Sequence, residues 1–128
     1  MKKHQKEIWL IDDSAASNLL NQKLFNQLDP KLRVKTFTIA EDALNSFRGA
    51  KDEVSTIFLD LNMPAMDGWD FIEEFKAMKQ NSTIETRLIL LSTSMNPKDK
   101  KRASADDAIE EYLQKPLEVN QIKELLSY

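Results

Sequence analysis

Short apolar runs alternate with helix-period segments along the chain, and this alternation constrains the fold more than any other feature. The runs fall at residues 8–11, 34–37, 54–59 and 88–91, with a weaker fifth near 111–115. The first, third and fourth are almost wholly apolar or β-branched, the pattern of parallel strands covered on both faces. Between them, Ala16, Leu20, Leu24 and Leu28 recur every four residues, and that segment stops at Asp29-Pro30. Ala40, Ala43, Leu44 and Phe47 follow the i, i+3, i+4, i+7 template, with Gly49 as the expected cap. Phe71, Ile72, Phe75 and Met78 mark a third helix. Residues 97–106 form a polar fourth helix with Pro97 in its first turn, and Leu117, Ile122, Leu125 and Leu126 mark a fifth. Five strands alternating with five helices predict an α/β, doubly wound domain: a five-stranded parallel sheet with right-handed crossovers and helices on both faces.

The length of 128 residues suits a single domain, 1–128, with one real core. No linker follows position 117, so no output domain is expected. The chain has no cysteine, which excludes disulfides, a thiolate nucleophile and cysteine metal sites. Its single histidine, His4, rules against a Ser-His-Asp triad or a histidine-rich zinc site. Two glycines, Gly49 and Gly68, cannot build a G-x-G-x-x-G turn or a G-x-x-x-x-G-K loop. Lys plus Arg number 18 and Asp plus Glu 21, a net charge of −3 that makes a poor nucleic-acid binder. The start of the chain is basic, but the four apolar residues at 8–11 run into Asp12-Asp13. A secretory segment needs roughly 7–15 apolar residues and a membrane span about 18. These features predict a cytoplasmic protein with no membrane partner.

In a doubly wound sheet, ligand sites form at the carboxyl ends of the strands. The first strand ends at Asp12-Asp13, the third at Asp60, the fourth at Ser92-Thr93 and the fifth at Lys115-Pro116. Together they offer three carboxylates, two hydroxyls and one ammonium. Three carboxylates in one mouth raise one another's pKa and weaken the fold, and a hard divalent cation removes the conflict. Mg²⁺ prefers oxygen ligands, with waters and a phosphate completing its octahedron. Lys115 and Ser92 suit phosphate oxygens. A carboxylate nucleophile, a metal and two electrophilic helpers are the parts of phosphoryl transfer. Each residue has a plainer alternative. Asp12 or Asp13 could cap the first helix, as could Ser14. Lys115 could be a solvated side chain and Ser92 a half-buried strand residue. Asp60 resists such a reading, because nothing in an apolar strand before Met63-Pro64 requires a charge.

With these residues in place, the chain resembles the receiver domain, the phosphoacceptor module of two-component response regulators. The segment Phe58-Leu-Asp60-Leu-Asn62-Met-Pro64-Ala-Met-Asp67-Gly68-Trp69 is similar to the family's D-x-x-M-P-x-M-D-G loop. Asp12-Asp13 resembles its first-strand acidic pair, Lys115-Pro116 its K-P motif, and Tyr112 its switch aromatic. The resemblance implies a flavodoxin-like sheet of strand order 2-1-3-4-5. It implies that Asp60 accepts a phosphoryl group from a sensor histidine kinase or histidine phosphotransfer protein. Asp13, Asp60 and the backbone carbonyl of Asn62 would hold Mg²⁺ directly, and Asp12 through water. Lys115 and Ser92 would bind phosphoryl oxygens. Ser92 would move inward, with Tyr112 rotating into the space vacated, and Thr93 is the alternative switch hydroxyl. Asn62 and Ser94 would tune the acyl-phosphate lifetime, and the Lys115–Pro116 bond would be cis. The segment before Tyr112 departs from the family in lacking a glycine.

The implied protein is a phosphoswitch, not an enzyme apart from self-phosphorylation and autodephosphorylation. Its message would leave through the face of helix 4, strand 5 and helix 5. A receiver-like module that signals without phosphorylation is the alternative. A haloacid-dehalogenase-like phosphatase resembles D-x-D, but Asn62 replaces the second acid. A flavodoxin-like binder needs a phosphate cradle where Asp12-Asp13 would repel one. The basic run Lys98, Lys100, Lys101 and Arg102 reads as a solvated helix face, with an acidic partner or nucleic acid as the alternative. Trp9 reads as core. Trp69 reads either as loop packing or as a reporter near the metal.

Overall fold

A computed structural model describes residues 6–50, 53–64, 66–80 and 85–128. His4 and Ala65 lie outside them. The elements are β1 (Glu7–Ile11), α1 (Ala15–Leu28), β2 (Arg33–Phe37), α2 (Ala40–Ala50), β3 (Val54–Asp60), α3 (Gly68–Lys79), β4 (Arg87–Ser92), α4 (Pro97–Ser104), β5 (Glu111–Gln114) and α5 (Val119–Leu126). All strand pairs are parallel, in the order β2-β1-β3-β4-β5, so the expected doubly wound topology is observed.

Residues 8–11, 57–59 and 88–91 of the three central strands are apolar because each face meets a different core. Trp9, Ile11, Ile57, Leu59, Leu88 and Leu90 face one cluster, with Phe47, Phe71 and Phe75 from α2 and α3. Ile8, Leu10, Phe58, Ile89 and Leu91 face the other, with Phe25 and Ile122 from α1 and α5. The side-chain period of two sorts successive residues onto opposite faces. Strands β2 and β5 lie at the sheet edges, and their weaker apolar patterns follow from that position.

Several local expectations need correction. In α1 the buried residues are Asn18 and Phe25, while Leu20 is 65% exposed. A four-residue repeat advances about 40° beyond a full turn at each step, so such a stripe winds off the packed face. Gly49 does not cap α2 but lies within it, exposed, with open space around its Cα. Helix α4 ends at Ser104 rather than 106, because Asp106 is drawn into the next turn. Its Oδ1 accepts from Ala108 N at 3.0 Å and its Oδ2 pairs with Lys76 at 3.1 Å. That turn serves where the family often has a glycine. Among the described residues only Ser127, at the end of α5, has positive φ. Leu117 is core but precedes α5, whose first turn is closed by Gln121 Oε1 accepting from Glu118 N at 3.0 Å.

Candidate functional site

The carboxyl ends of β1, β3, β4 and β5 converge on one mouth. At the end of β1, Asp12 is 4% exposed and Asp13 is exposed. Neither caps α1: Ser14 does, its Oγ accepting from Ser17 N at 3.2 Å. Asp12 Oδ1 instead accepts from Ser14 N at 2.9 Å. Asp60 ends β3 at 6% exposure, and its Oδ1 accepts from Asn62 N at 3.2 Å. Carboxylate oxygens of Asp12, Asp13 and Asp60 all lie within 4.8 Å of one another.

Lys115 enters this cluster from beyond β5. Its Nζ is 2.5 Å from Asp12 Oδ2 and 3.4 Å from Asp60 Oδ2. Its backbone N–H donates to Ser92 O at 2.8 Å, and the Lys115–Pro116 peptide is cis. Burial pushes the Asp60 carboxyl above its ordinary range, and the Asp12 charge adds to that rise. The Asn62 N–H and the Lys115 ammonium pull it down without cancelling it. One ammonium for three carboxylates, two of them buried, leaves excess negative charge among the described residues of the cluster. All the donors are hard oxygens, so the residues present fit an Mg²⁺ ion.

Ser92 closes β4 at 1% exposure. Its Oγ donates to Ser94 O at 2.8 Å and accepts from Asn62 Nδ2 at 3.2 Å. Thr93 is exposed, and its carbonyl accepts from Gln114 Nε2 at 3.4 Å. Of the two candidate hydroxyls, Ser92 is therefore the one joined to the loop after Asp60. Ser94 contributes its main chain to the same turn. Tyr112 packs partly buried against the core beneath α4, and its hydroxyl is buried with no hydrogen-bond partner among the described residues.

Sequence reasoning missed Asn18. Its Nδ2 donates to Asp12 O at 3.1 Å and Phe37 O at 3.0 Å, tying together the ends of β1 and β2 beneath the acidic pair. The available signal was its i, i+7 spacing to Phe25 on one helix face. Trp69 is fixed by side chains rather than by loop packing alone. Its Nε1 donates to Asp99 Oδ1 at 3.2 Å, and the Arg102 guanidinium lies 4.1 Å from its ring centre.

Residues 8–127 match the family profile of the response regulator receiver domain. The chain belongs to the response regulator receiver family. The receiver is similar to a two-component response regulator from Cytophaga hutchinsonii, at 29% identity and a TM-score of 0.87 over 98% of this chain and 96% of that one. It shares its fold with the receiver domain of the histidine kinase CKI1 from Arabidopsis thaliana, solved with Mg²⁺ and BeF₃⁻. There the TM-score is 0.81 at 20% identity, over 96% and 91% of the two chains. The cyclic di-GMP phosphodiesterase response regulator RpfG from Xanthomonas campestris pv. campestris is 23% identical over 116 residues. These are 91% of this receiver but 29% of that protein's length. Receiver domains are signalling modules of two-component systems and bind Mg²⁺ at an acidic site. No helix among the described residues is long and apolar enough to cross a membrane.

Proposed function

We propose that this receiver accepts a phosphoryl group on Asp60 from a histidine kinase or histidine phosphotransfer protein in the cytoplasm. The observation that carries this reading is the placement of Lys115 between buried Asp12 and Asp60, with Asp13 beside them. A carboxylate oxygen of Asp60 attacks the phosphorus of a phosphohistidine. A P–O bond forms as the P–N bond breaks, and the imidazole leaves with its electron pair. Lys115 turns its ammonium to a phosphoryl oxygen, and Ser92 Oγ donates a hydrogen bond to another. Asp13, Asp60 and the Asn62 carbonyl would hold Mg²⁺ directly, and Asp12 through water. Its chemistry there is to neutralise charge on the carboxylates and the incoming group.

Asn62 and Ser94 flank the approach of a hydrolytic water and set the lifetime of the acyl phosphate. Phosphorylation biases an existing two-state equilibrium, with Ser92 moving inward and Tyr112 following. The signal leaves through protein contacts on the face of α4, β5 and α5. The CKI1 receiver's complex with Mg²⁺ and BeF₃⁻ supports this assignment by likeness of fold.

The test is intact-protein mass after incubation with Mg²⁺ and a small acyl-phosphate donor. One phosphoryl adduct is expected on the wild type, and none on Asp60→Asn or after chelation. A folded wild type that gains no adduct and binds no beryllofluoride would instead be a module that signals without phosphate.

A further inference from the structure

Trp69 is rigidly placed relative to Asp60. Gly68, the residue before it, packs so closely on Leu61 that an added Cβ would lie 2.7 Å from Leu61 Cα. Gly68 N also donates to Leu61 O at 2.9 Å. Leu61 directly follows Asp60, so the main chain at Trp69 is locked to the acidic loop. Its side chain reaches away from that loop to α4, where Asp99 accepts from the indole N–H and Arg102 covers the ring face. Asp99 and Arg102 are three residues apart and share one face of that helix.

A second route joins α4 to the site. Ser92 Oγ donates to Ser94 O at 2.8 Å, and the same carbonyl accepts from Asn96 N at 3.0 Å. Asn96 is the N-cap of α4, its side chain accepting from Lys98 N at 2.8 Å. A serine hydroxyl has one proton to donate. If that hydrogen bond turns to a phosphoryl oxygen, the bond to Ser94 O is lost, and the loop's tie to Ser92 Oγ is reduced to the bond from Ser94 N at 3.3 Å. The Trp69 contacts do not depend on that proton. They do depend on where α4 sits, because a hydrogen bond of 3.2 Å does not survive a shift of about 1 Å.

We propose that Trp69 is a positioning residue of the switch, holding α4 in the place observed here through Asp99 and Arg102 and so setting how readily Asp60 is phosphorylated. The inference rests on Asp60 being the phosphoacceptor. An interaction made in one of two states favours that state by its own free energy. Weakening the Trp69 contacts therefore populates the displaced position of α4, in which Ser92 is free to turn to the phosphate.

The experiment follows phosphorylation rate by intact mass with Mg²⁺ and a small acyl-phosphate donor. Wild type is compared with Trp69→Phe, Asp99→Ala, Asp99→Asn and the Trp69→Phe/Asp99→Ala double variant. Asp99→Ala and Trp69→Phe should each react about three- to tenfold faster, the change an interaction of hydrogen-bond size produces. Asp99→Asn keeps the acceptor and should stay near wild type, and the double variant should be no faster than the faster single one. Trp69 emission, obtained by subtracting the Trp69→Phe spectrum, should change when beryllofluoride and Mg²⁺ are added. Asp99 lies on the surface of α4, so its variants keep the test valid if Trp69→Phe folds poorly. Equal rates in all variants, with one phosphoryl group on wild-type Asp60, would overturn the positioning role and leave the phosphoacceptor standing. No adduct on the wild type would overturn both.

Discussion

Lys115 Nζ lies nearer to Asp12 than to Asp60, at 2.5 Å from Asp12 Oδ2 against 3.4 Å from Asp60 Oδ2. Among the described residues, the site thus holds its ammonium closest to the acid that is not the proposed nucleophile. Both acids are buried, so removing the ammonium leaves two carboxylates without a counter-charge. Lys115→Met should lower unfolding free energy by about 3 kcal/mol, as expected for a buried pair that loses one partner. Mg²⁺ should recover part of that loss by binding only the folded chain. Urea denaturation with and without Mg²⁺ measures both effects. A variant as stable as wild type without metal would show that water already solvates the carboxylates well enough.

Asp60 is predicted to make the fold less stable at neutral pH than an uncharged residue would. Its carboxyl is raised above the ordinary value, chiefly by burial. The folded chain therefore holds that proton more tightly than the unfolded chain does. The stabilisation is complete below the unfolded pKa and is lost as pH rises through the folded one. Asp60→Asn should be the more stable protein at pH 7, by about 1 kcal/mol or roughly 4 °C in Tm. The advantage should shrink as pH falls towards 3.8, the ordinary aspartate value. Thermal melts of both proteins across pH 4–7 test the sign. In Mg²⁺ the order should narrow or reverse, because the variant loses a ligand.

Arg87 joins the start of β4 to two other parts of the chain. It chelates the Glu110 carboxylate, and its Nη1 donates to Leu125 O at 2.7 Å near the end of α5. The guanidinium holds the Glu110 carboxyl below its ordinary value. A depressed carboxylate contributes stability above the unfolded pKa and loses it as pH falls through the folded one. Glu110→Gln should cost about 0.5–1 kcal/mol at pH 7, kept small because the Glu110 side chain is 42% exposed. The difference should vanish well below pH 4.5, the ordinary glutamate value. Equal stability of the two proteins at pH 7 would show that the contact to Leu125 alone matters.

The sheet and the acidic mouth were legible in the sequence because both follow from position along strands. Residues 57–59 are apolar on both faces, and the charge at Asp60 then marks the strand's end. Contacts between side chains distant in sequence were not legible. Nothing in the spacing of Trp69 and Asp99, 30 residues apart, announces their hydrogen bond. Asn18 was hidden for another reason: a polar residue on a helix scores as surface unless its partners are known. Here those partners are two main-chain carbonyls at the ends of β1 and β2. The α1 stripe was half right: Leu24 and Leu28 pack at the edge of the core, but Leu20 is exposed, and Phe25 and Asn18 are the buried residues of that helix.

The two glycines should respond to alanine with opposite signs. At Gly68 a Cβ would meet Leu61 Cα and Cδ1 at 2.7 Å and Leu61 O at 2.9 Å. The Cδ1 contact can be relieved by a rotamer change, but the backbone contacts cannot. Gly68→Ala should therefore push the start of α3 off the loop that follows Asp60, lowering stability by about 1–3 kcal/mol. It should also slow phosphorylation, since Asn62 and Leu61 move with that loop. At Gly49, an exposed position of α2, nothing lies within 4 Å of the added methyl. Gly49→Ala should raise stability by about 0.5 kcal/mol, through helix propensity and a less flexible unfolded chain. Urea midpoints and phosphorylation rates of the two variants separate close packing from a general intolerance of change. Loss of stability in both would place the cause in the helices rather than at the Leu61 contact.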